Sequence, residues 1–314
     1  MSLATLHRPV SFEAVVGQQQ AVNSLKHAVK HNSQHSFLLC GPSGVGKTTL
    51  ARIMANTFTN GSGTAANIEE IAAADHTGVD AMRTVVQRCA FRAIGGSPIK
   101  SIILDECHRL SGSAWDVLLK PVEEPPSHVY WFLCTTEPGK VPKTILTRCA
   151  RIDLKLVSED VIFKLLCRVA DEEKLTTPDA VLEAIAEGSN GSPRQALTFL
   201  ESCGHLTSVN EARIAMRSGG QSREAIDLCR FLVNGRAHTW AEAMKYAQAL
   251  EGVDAEGVRI TIVNYLTTVL LNTKDNRKAV ELLRLMEPFL KPFQTSDRMG
   301  PLLHSLGLAL GLDQ

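Results

Sequence analysis

The chain has 314 residues, of which 44% are hydrophobic and 21% are charged, and its 33 basic residues equal its 33 acidic residues in number. This is the composition of a globular chain that can bury a sizeable core spread over two or three domains. The net charge of zero excludes attraction to nucleic acid or membranes by overall charge, so such a partner would have to bind a local patch.

The N-terminal stretch MSLATLHRPVSFEAV has neither the basic start nor the apolar centre of a signal peptide. No apolar run approaches the roughly 18 residues that span a bilayer. We therefore expect a cytoplasmic protein with no membrane partner. The eight cysteines are scattered singly, without a C-x-x-C pair, so the sequence predicts neither disulfides nor a metal cluster.

The first 155 residues alternate short apolar runs with helical patterns, which is typical of a parallel sheet with helices on both faces. Apolar runs predict strands over 36–40, 100–106 and 128–136. Apolar residues at spacings of three and four predict helices over 18–31 and 47–58. This order of elements indicates an α/β nucleotide-binding fold.

From residue 156 the pattern becomes wholly helical, first over 158–174 and 177–188, and then in amphipathic segments that continue to the C-terminus. The later block carries no chemical motif, and packing against itself would account for its apolar faces. We predict three domains, namely an α/β domain over 1–155, a small helical domain over 156–205 and an all-helical domain over 206–314.

The segment GPSGVGKT, residues 41–48, follows a predicted strand and opens a predicted helix, as phosphate-binding loops do. Its glycines let backbone N–H groups turn toward phosphate oxygens, while Lys47 neutralises phosphate charge and Thr48 offers a hydroxyl to Mg²⁺. We expect ATP and Mg²⁺ here. The expected ATP-binding residues are Gly41, Pro42, Ser43, Gly44, Val45, Gly46, Lys47, Thr48 and Thr49.

The segment IILDE, residues 102–106, is an apolar strand followed by two carboxylates at its C-terminal end, where ligands collect in open α/β sheets. We expect Asp105 to hold Mg²⁺ and Glu106 to polarise the attacking water. The letters DECH also occur in helicases, but the sequence shows no second strand–helix set and no later helicase motif. We expect Cys107 and His108 to be structural.

Four later residues complete the candidate site. Thr135 and Thr136 end a predicted strand and could reach the phosphates, although threonine is also simply a good strand former. Arg148 lies in ILTRC, and Arg194 lies in GSPRQAL at the start of a predicted helix.

Taken together, these segments resemble the AAA+ clamp-loader ATPases, in particular those of the bacterial DNA polymerase III tau/gamma type. The resemblance runs from HRPVSFEAVVGQ to GSPRQAL, over roughly the first 200 residues, and LLKPVEEPP is its most specific piece. It implies an AAA+ domain, a helical lid and a helical collar. It also implies that Thr136 is sensor 1, Arg194 is sensor 2, and Arg148 is an arginine finger that acts on a neighbouring subunit.

The resemblance further implies a sliding clamp, primer-template DNA and other clamp-loader subunits in a ring, expected to be a pentamer, as partners in the bacterial cytoplasm. Its bacterial members carry a four-cysteine zinc module, whereas only Cys89 lies between Thr48 and Asp105 here, so we expect no zinc. The length suggests a short, gamma-like form such as a bacterium or bacteriophage encodes. Arg83 and the helix start at Ser111 are the candidates for DNA contact.

Two alternatives stay open. The chain could be a structural clamp-loader subunit that donates an arginine without hydrolysing ATP, although its phosphate loop is intact at every position. It could also be another AAA+ motor, such as a helicase loader or a branch-migration motor. LLKPVEEPP and the TRC segment argue against that second alternative.

Overall fold

The computed structural model describes residues 2–31, 34–59, 67–73, 77–91, 99–217, 223–234, 239–250, 253–293 and 299–311. The chain forms two compact units. The sheet-containing unit comprises Ala4–Ile162 and Asn190–Gln195, and the helical unit comprises Phe163–Ser189 and Ala196–Gln314 together with the first three residues. The predicted division into three domains at residues 155 and 205 stays a prediction.

The sheet has five parallel strands in the order β2-β3-β4-β1-β5. Their bounds are β1 Ser36–Cys40, β2 Ile68–Ala72, β3 Lys100–Asp105, β4 Val129–Thr135 and β5 Ala150–Asp153. The three central strands are the ones that the sequence predicts, and β3 and β4 end one residue earlier than expected. The parallel α/β fold with a nucleotide-binding layout is therefore confirmed, with two edge strands added.

Six α-helices belong wholly or mainly to the described part of the sheet-containing unit. Their bounds are α1 Leu3–Leu6, α2 Gln19–His31, α3 Lys47–Phe58, α4 Val79–Cys89, α5 Gly112–Glu123 and α6 Lys143–Leu146. Pro121 lies in the last turn of α5, and Pro125 and Pro126 follow the end of that helix. Proline cannot continue a helix, so the chain leaves α5 sharply and enters β4.

Each face of the sheet carries its own hydrophobic core, because successive strand residues point to opposite faces. On one face Leu38, Ile102 and Leu133 pack with residues of α4 and α5. On the other face Phe37 and Phe132 stack at 5.5 Å and pack with residues of α2 and α3. The sheet is therefore covered by helices on both faces.

The helical unit contains, wholly or mainly, nine further α-helices among the residues that the structure describes. Their bounds are α7 Glu159–Glu172, α8 Asp179–Gly188, α9 Pro193–Cys203, α10 Val209–Arg217, α11 Arg223–Asn234, α12 Trp240–Ala249, α13 Ala255–Leu271, α14 Asn276–Met286 and α15 Gly300–Ala309. A buried arginine stabilises this unit: Arg259 donates to the carboxylate of Glu256 at 2.7 and 2.8 Å and to the Phe289 carbonyl at 2.6 Å. Pairing of this kind is what allows a charged side chain to be buried.

The described cysteines are all free thiols. Within the described ranges no group of three or more His, Cys, Asp or Glu side chains is arranged to hold a metal ion, and the expected absence of zinc stays a prediction. None of the described helices is both long enough and apolar enough to cross a bilayer.

Candidate nucleotide-binding site

The segment from Gly41 to Gly46 links the end of β1 to the start of α3, as the loop motif predicts. Gly44 and Gly46 have φ angles of +75° and +108°, a region that L-residues with side chains rarely adopt. The Gly41 N–H donates to the carbonyl of Thr135 at 3.2 Å, which ties the loop to β4. The loop therefore opens α3 with its backbone amides at a helix N-terminus, a favourable place for phosphate.

Lys47 is the first residue of α3, and only 5% of it is exposed. Its ammonium donates to the carbonyls of Gly41 and Pro42 at 2.9 and 2.8 Å. Burial lowers the pKa of Lys47, while the negative charges of Glu106 and Asp105 oppose that shift. A phosphate beside this ammonium would add negative charge and favour its protonated form further.

Thr48 and Asp105 meet at the junction of α3 and β3. The Thr48 hydroxyl donates to Asp105 Oδ2 at 2.9 Å, and Asp105 Oδ1 accepts from the Glu106 N–H at 3.0 Å. A hydroxyl oxygen and a carboxylate oxygen at this spacing suit a hard cation such as Mg²⁺. The two residues predicted to share the metal are thus in contact.

Glu106 and Thr136 also meet, although 30 residues separate them in the chain. The Thr136 hydroxyl donates to Glu106 Oε2 at 3.1 Å. Glu106 has left-handed backbone angles, φ 51° and ψ 42°, which is why β3 ends one residue before it. Non-glycine residues rarely adopt this conformation, and such strain concentrates at functional sites.

His108 is a site residue that sequence reasoning placed in a structural role. Its Nδ1 atom lies 3.2 Å from Thr135 Oγ1 and 3.3 Å from Glu106 Oε2. Its Nε2 atom lies 3.2 Å from Glu137 Oε1. The position of His108 two residues after Glu106 was the available signal, but one histidine beside an acidic pair does not reveal which way its ring points.

Arg194 lies next to the phosphate loop. Its N–H donates to the Gly44 carbonyl at 3.4 Å, and Ser192 closes over the same glycine. The charge of Arg194 acts on the pKa values of both Lys47 and Arg8, lowering each. The structure therefore places this predicted residue where its positive charge reaches the loop lysine.

Arg8 is a second residue that sequence reasoning missed. Burial lowers its pKa, and the neighbouring charges of Arg52 and Arg194 lower it further. Asp105 and Glu70 act in the opposite direction. Of these neighbours, Arg52 is paired with the Glu70 carboxylate at 2.6 and 2.8 Å, so it is the charges of Arg8 and Arg194 that favour an anionic ligand. Arg8 lies in the segment HRPVSFEAVVGQ, but the pattern of that segment does not indicate that its arginine lies near Asp105 and Arg194.

Arg148 follows α6, and its described contacts are to residues outside the phosphate loop. Its Nε atom lies 2.8 Å from Glu123 Oε2 at the end of α5, and its Nη1 atom donates to the Thr144 carbonyl at 2.6 Å. The structure thus pairs Thr48 with Asp105 and Thr136 with Glu106, and it places Lys47 against carbonyls of the phosphate loop, whereas Arg148 lies beside a separate carboxylate.

The two predicted DNA-contact residues also lie in the sheet-containing unit. Arg83 pairs with Asp80 at 2.9 Å on the exposed side of α4, and Ser111 Oγ caps α5 by accepting from the Ala114 N–H at 3.2 Å. Neither contact tests a role toward DNA, so both stay predictions.

Three family models match parts of the chain. The model described as "DNA polymerase III, delta subunit" matches residues 61–158, "RCF1/5-like, AAA+ ATPase lid domain" matches residues 164–204, and "Magnesium chelatase, subunit ChlI" matches residues 11–101. The lid match falls directly after the sheet, which supports the AAA+ order of an α/β domain followed by helices.

Curated relatives extend this similarity. The DNA polymerase III subunit tau of Bacillus subtilis is 36% identical over 221 residues, covering 64% of this chain and 39% of the relative. The subunit gamma of Buchnera aphidicola is 35% identical over 222 residues, covering 63% of this chain and 60% of the relative. The chain is homologous to the DNA polymerase III tau and gamma subunits.

The tau subunit of Escherichia coli extends the homology further along the chain, at 31% identity over 278 residues and 82% of this chain. This tau/gamma homologue spans between about two fifths and three fifths of the length of these three curated relatives. The recognised resemblance to tau/gamma subunits is therefore confirmed.

Solved structures agree with the AAA+ fold. The Thermotoga maritima RuvB Holliday junction branch migration motor superposes with a TM-score of 0.54, covering 84% of this chain and 91% of RuvB. Its identity is 21%, so this likeness shows the fold alone.

Proposed function

We propose that this tau/gamma homologue is the ATP-hydrolysing subunit of a DNA polymerase sliding-clamp loader. The observation that carries the proposal is the contact of Thr48 with Asp105 and of Thr136 with Glu106 beside an intact phosphate loop. A subunit that only held other subunits together would have no use for both pairs.

The phosphates of ATP would lie along the N–H groups of the loop from Gly41 to Gly46, with Lys47 neutralising the β and γ phosphates. Thr48 and Asp105 would hold Mg²⁺, which when bound adds positive charge to the phosphate oxygens. Arg194, at the start of α9 and in contact with Gly44, would sense the γ-phosphate and so couple nucleotide binding to the helices that follow.

Glu106 would polarise the attacking water, because its carboxylate lies at the end of β3 and can accept a proton or a hydrogen bond. Thr136 would fix the carboxylate through its contact with Oε2, and would respond to the γ-phosphate in the sensor 1 role. Each of these residues lies at the carboxyl edge of the sheet, where ligands bind in α/β folds.

Arg148 would act on a neighbouring subunit. Charge that develops on the transferred phosphoryl group requires cations, and an arginine supplied by another subunit can raise the rate by about 10³ to 10⁵ in nucleotide hydrolases. The described contacts of Arg148 are with Glu123 and Thr144 and not with its own phosphate loop, so on assembly its guanidinium would exchange Glu123 for the phosphates of a ring neighbour. Hydrolysis would then depend on assembly.

The partners in this proposal are a sliding clamp, primer-template DNA and other clamp-loader subunits. ATP binding would close a ring, expected to contain five subunits, that opens and holds the clamp. Primer-template DNA inside the ring would trigger hydrolysis and release. The helices from residue 206 onward would form the collar of the ring, in the cytoplasm of a bacterial cell.

The direct test is ATPase activity of the purified chain, alone and with its companion subunits, the clamp and primed DNA. We expect low activity alone and strong stimulation when all components are present. Activity that stays flat across these additions would refute clamp loading. A chain that binds ATP and supports loading without hydrolysing it would instead be the structural subunit.

The trans role of Arg148 has its own test, in which Arg148→Ala chains are mixed with Glu106→Gln chains. Mixed rings contain interfaces that pair an intact arginine with an intact site, so we expect activity above the sum of the two separate preparations. Activity that never exceeds that sum would show that Arg148 does not act in trans.

A further inference from the structure

The ring of His108 lies between two carboxylates that come from different segments of the chain. Only 7% of its side chain is exposed. Nδ1 faces Glu106 Oε2 at 3.3 Å, and Nε2 faces Glu137 Oε1 at 3.2 Å. A histidine buried to this degree, with a carboxylate at each nitrogen, connects the two acidic groups physically.

The contacts continue outward to the surface. The Glu137 carboxylate accepts from Lys140 Nζ at 2.8 Å, and 61% of the Lys140 side chain is exposed. Its hydrogen bond to Lys140 lowers the pKa of Glu137, and the charges of Lys140, His108 and Arg109 lower it further. An unbroken series of contacts therefore runs from Lys140 through Glu137 and His108 to Glu106.

Hydrogen-bond chemistry gives the neutral His108 ring two arrangements. A carboxylate can only accept, a neutral imidazole has one N–H and an imidazolium has two, so it is the neutral ring that can donate to only one carboxylate at a time. In the structure Nδ1 has hydrogen-bond geometry toward the Thr135 hydroxyl at 3.2 Å, whereas Glu106 and Glu137 lie at ion-pair distances of 3.3 and 3.2 Å from Nδ1 and Nε2. With the proton on Nδ1, a small rotation of the ring would let it donate to Glu106. With the proton on Nε2, the ring could donate only toward Glu137, while Nδ1 accepts from the Thr135 hydroxyl.

We propose that His108 is a positioning residue for Glu106, and that it relays the state of the exposed Glu137–Lys140 pair to the carboxylate that polarises the attacking water. If an anionic partner bound Lys140, the Glu137 carboxylate would lose its contact with that lysine. Glu137 would then compete differently with Glu106 for the proton of His108. This inference rests on the proposed ATPase function, and it adds a residue and a surface to it.

Two substitutions test the two ring nitrogens of His108 separately. Asparagine places its amide close to the position of Nδ1, and glutamine places its amide close to the position of Nε2. His108→Asn should therefore keep the contacts with Glu106 and Thr135, whereas His108→Gln should keep only the contact with Glu137. His108→Ala removes both.

We expect His108→Gln and His108→Ala to lower kcat by about 10-fold, which is about 1.4 kcal/mol in the barrier. Their KM and their affinity for ATP should stay within about twofold of the unaltered chain, because the effect is on water activation and not on binding. His108→Asn should retain at least about a third of kcat. Exposed Glu124→Gln, outside this series, is the control and should change nothing.

The relay is tested by combining substitutions. Glu137→Gln should change kcat in the unaltered chain but not in the His108→Asn chain, because asparagine at position 108 does not reach Glu137. Such non-additivity is expected of two residues when one acts through the other. Retained ATP affinity shows that each variant is folded. If His108→Ala fails to fold, the comparison of asparagine with glutamine still decides the matter.

The inference is overturned if the asparagine and glutamine variants have equal kcat, if KM changes in place of kcat, or if Glu137→Gln acts equally in both backgrounds. Failure of the proposed function is distinguished by Glu106→Gln. Full ATPase activity in that variant would remove the proposed function itself, whereas a large loss there with no effect at His108 would remove only this inference.

Discussion

A methyl group added at Gly44 should destabilise the sheet-containing unit more than one added at Gly46. Both residues have positive φ, so alanine at either position adds a backbone penalty of about 1–2 kcal/mol. A Cβ at Gly46 meets nothing within 4 Å, whereas a Cβ at Gly44 would overlap Ser192 Oγ and lie 3.2 Å from Arg194 Cβ. Gly46→Ala is thus the matched control for backbone strain.

The additional effect at Gly44 is one of overpacking, which typically adds about 1–3 kcal/mol. We therefore expect Gly44→Ala to lower the free energy of unfolding by about 2–5 kcal/mol, against about 1–2 kcal/mol for Gly46→Ala. Ser192→Ala should by itself remove about 1 kcal/mol, since Ser192 Oγ accepts from the Gln195 N–H at 3.3 Å at the start of α9. Combined with Gly44→Ala, it should relieve part of the overlap.

The assay is urea unfolding followed by circular dichroism, with and without ATP. A chain of two compact units need not unfold in one transition, so the relevant transition is the one that ATP shifts to higher urea. The reasoning fails if Gly44→Ala and Gly46→Ala have equal midpoints, or if Ser192→Ala does not reduce the difference between them.

Three other predictions follow from the described contacts. Thr48→Val should raise the Mg²⁺ concentration for half-maximal ATPase by about 10-fold or more, whereas Thr48→Ser, which keeps the hydroxyl, should stay near the original value; equal behaviour would refute a metal role. The Arg259 hydrogen bond lowers the pKa of Glu256 below its usual 4.5, so its stabilisation is present at neutral pH and is lost as the pH falls through the folded-state pKa. Unfolding midpoints of the helical unit should therefore drop as the pH falls below 4.5, and Glu256→Gln should flatten that drop. Iodoacetamide should label Cys167, which is partly exposed, well before Cys229, whose thiol is buried and whose pKa burial raises; mass spectrometry of labelled peptides checks the order.

The centre of the fold could be predicted from sequence, because β1, β3 and β4 are continuous apolar runs buried on both faces. The two edge strands could not. β2 reads IEEIA, with two glutamates, and β5 reads ARID, so neither shows an apolar run. Edge strands are paired on one side only, and their sequences can therefore be polar.

The candidate site divides in the same way. Thr48, Asp105 and Glu106 occur in local motifs whose chemistry is specified by spacing along the chain, and the structure places them in contact as expected. The roles of His108 and Glu123 depend on contacts across 29 and 25 residues of sequence, to Glu137 and Arg148 respectively. No local pattern records where such side chains point.

The strand order has a consequence for synthesis of the chain. β1 pairs with β4 and β5, which begin at Val129 and Ala150, so the apolar segment SFLLC has no sheet partner while the ribosome adds roughly the next hundred residues. Transiently exposed apolar segments of this kind promote aggregation during folding. The phosphate loop that follows β1 is fixed to β4 through Thr135, so a nascent chain gains its ATP-binding geometry only when β4 has emerged. Nucleotide binding by ribosome-bound chains of increasing length would thus show the chain length at which β1 becomes paired in the sheet.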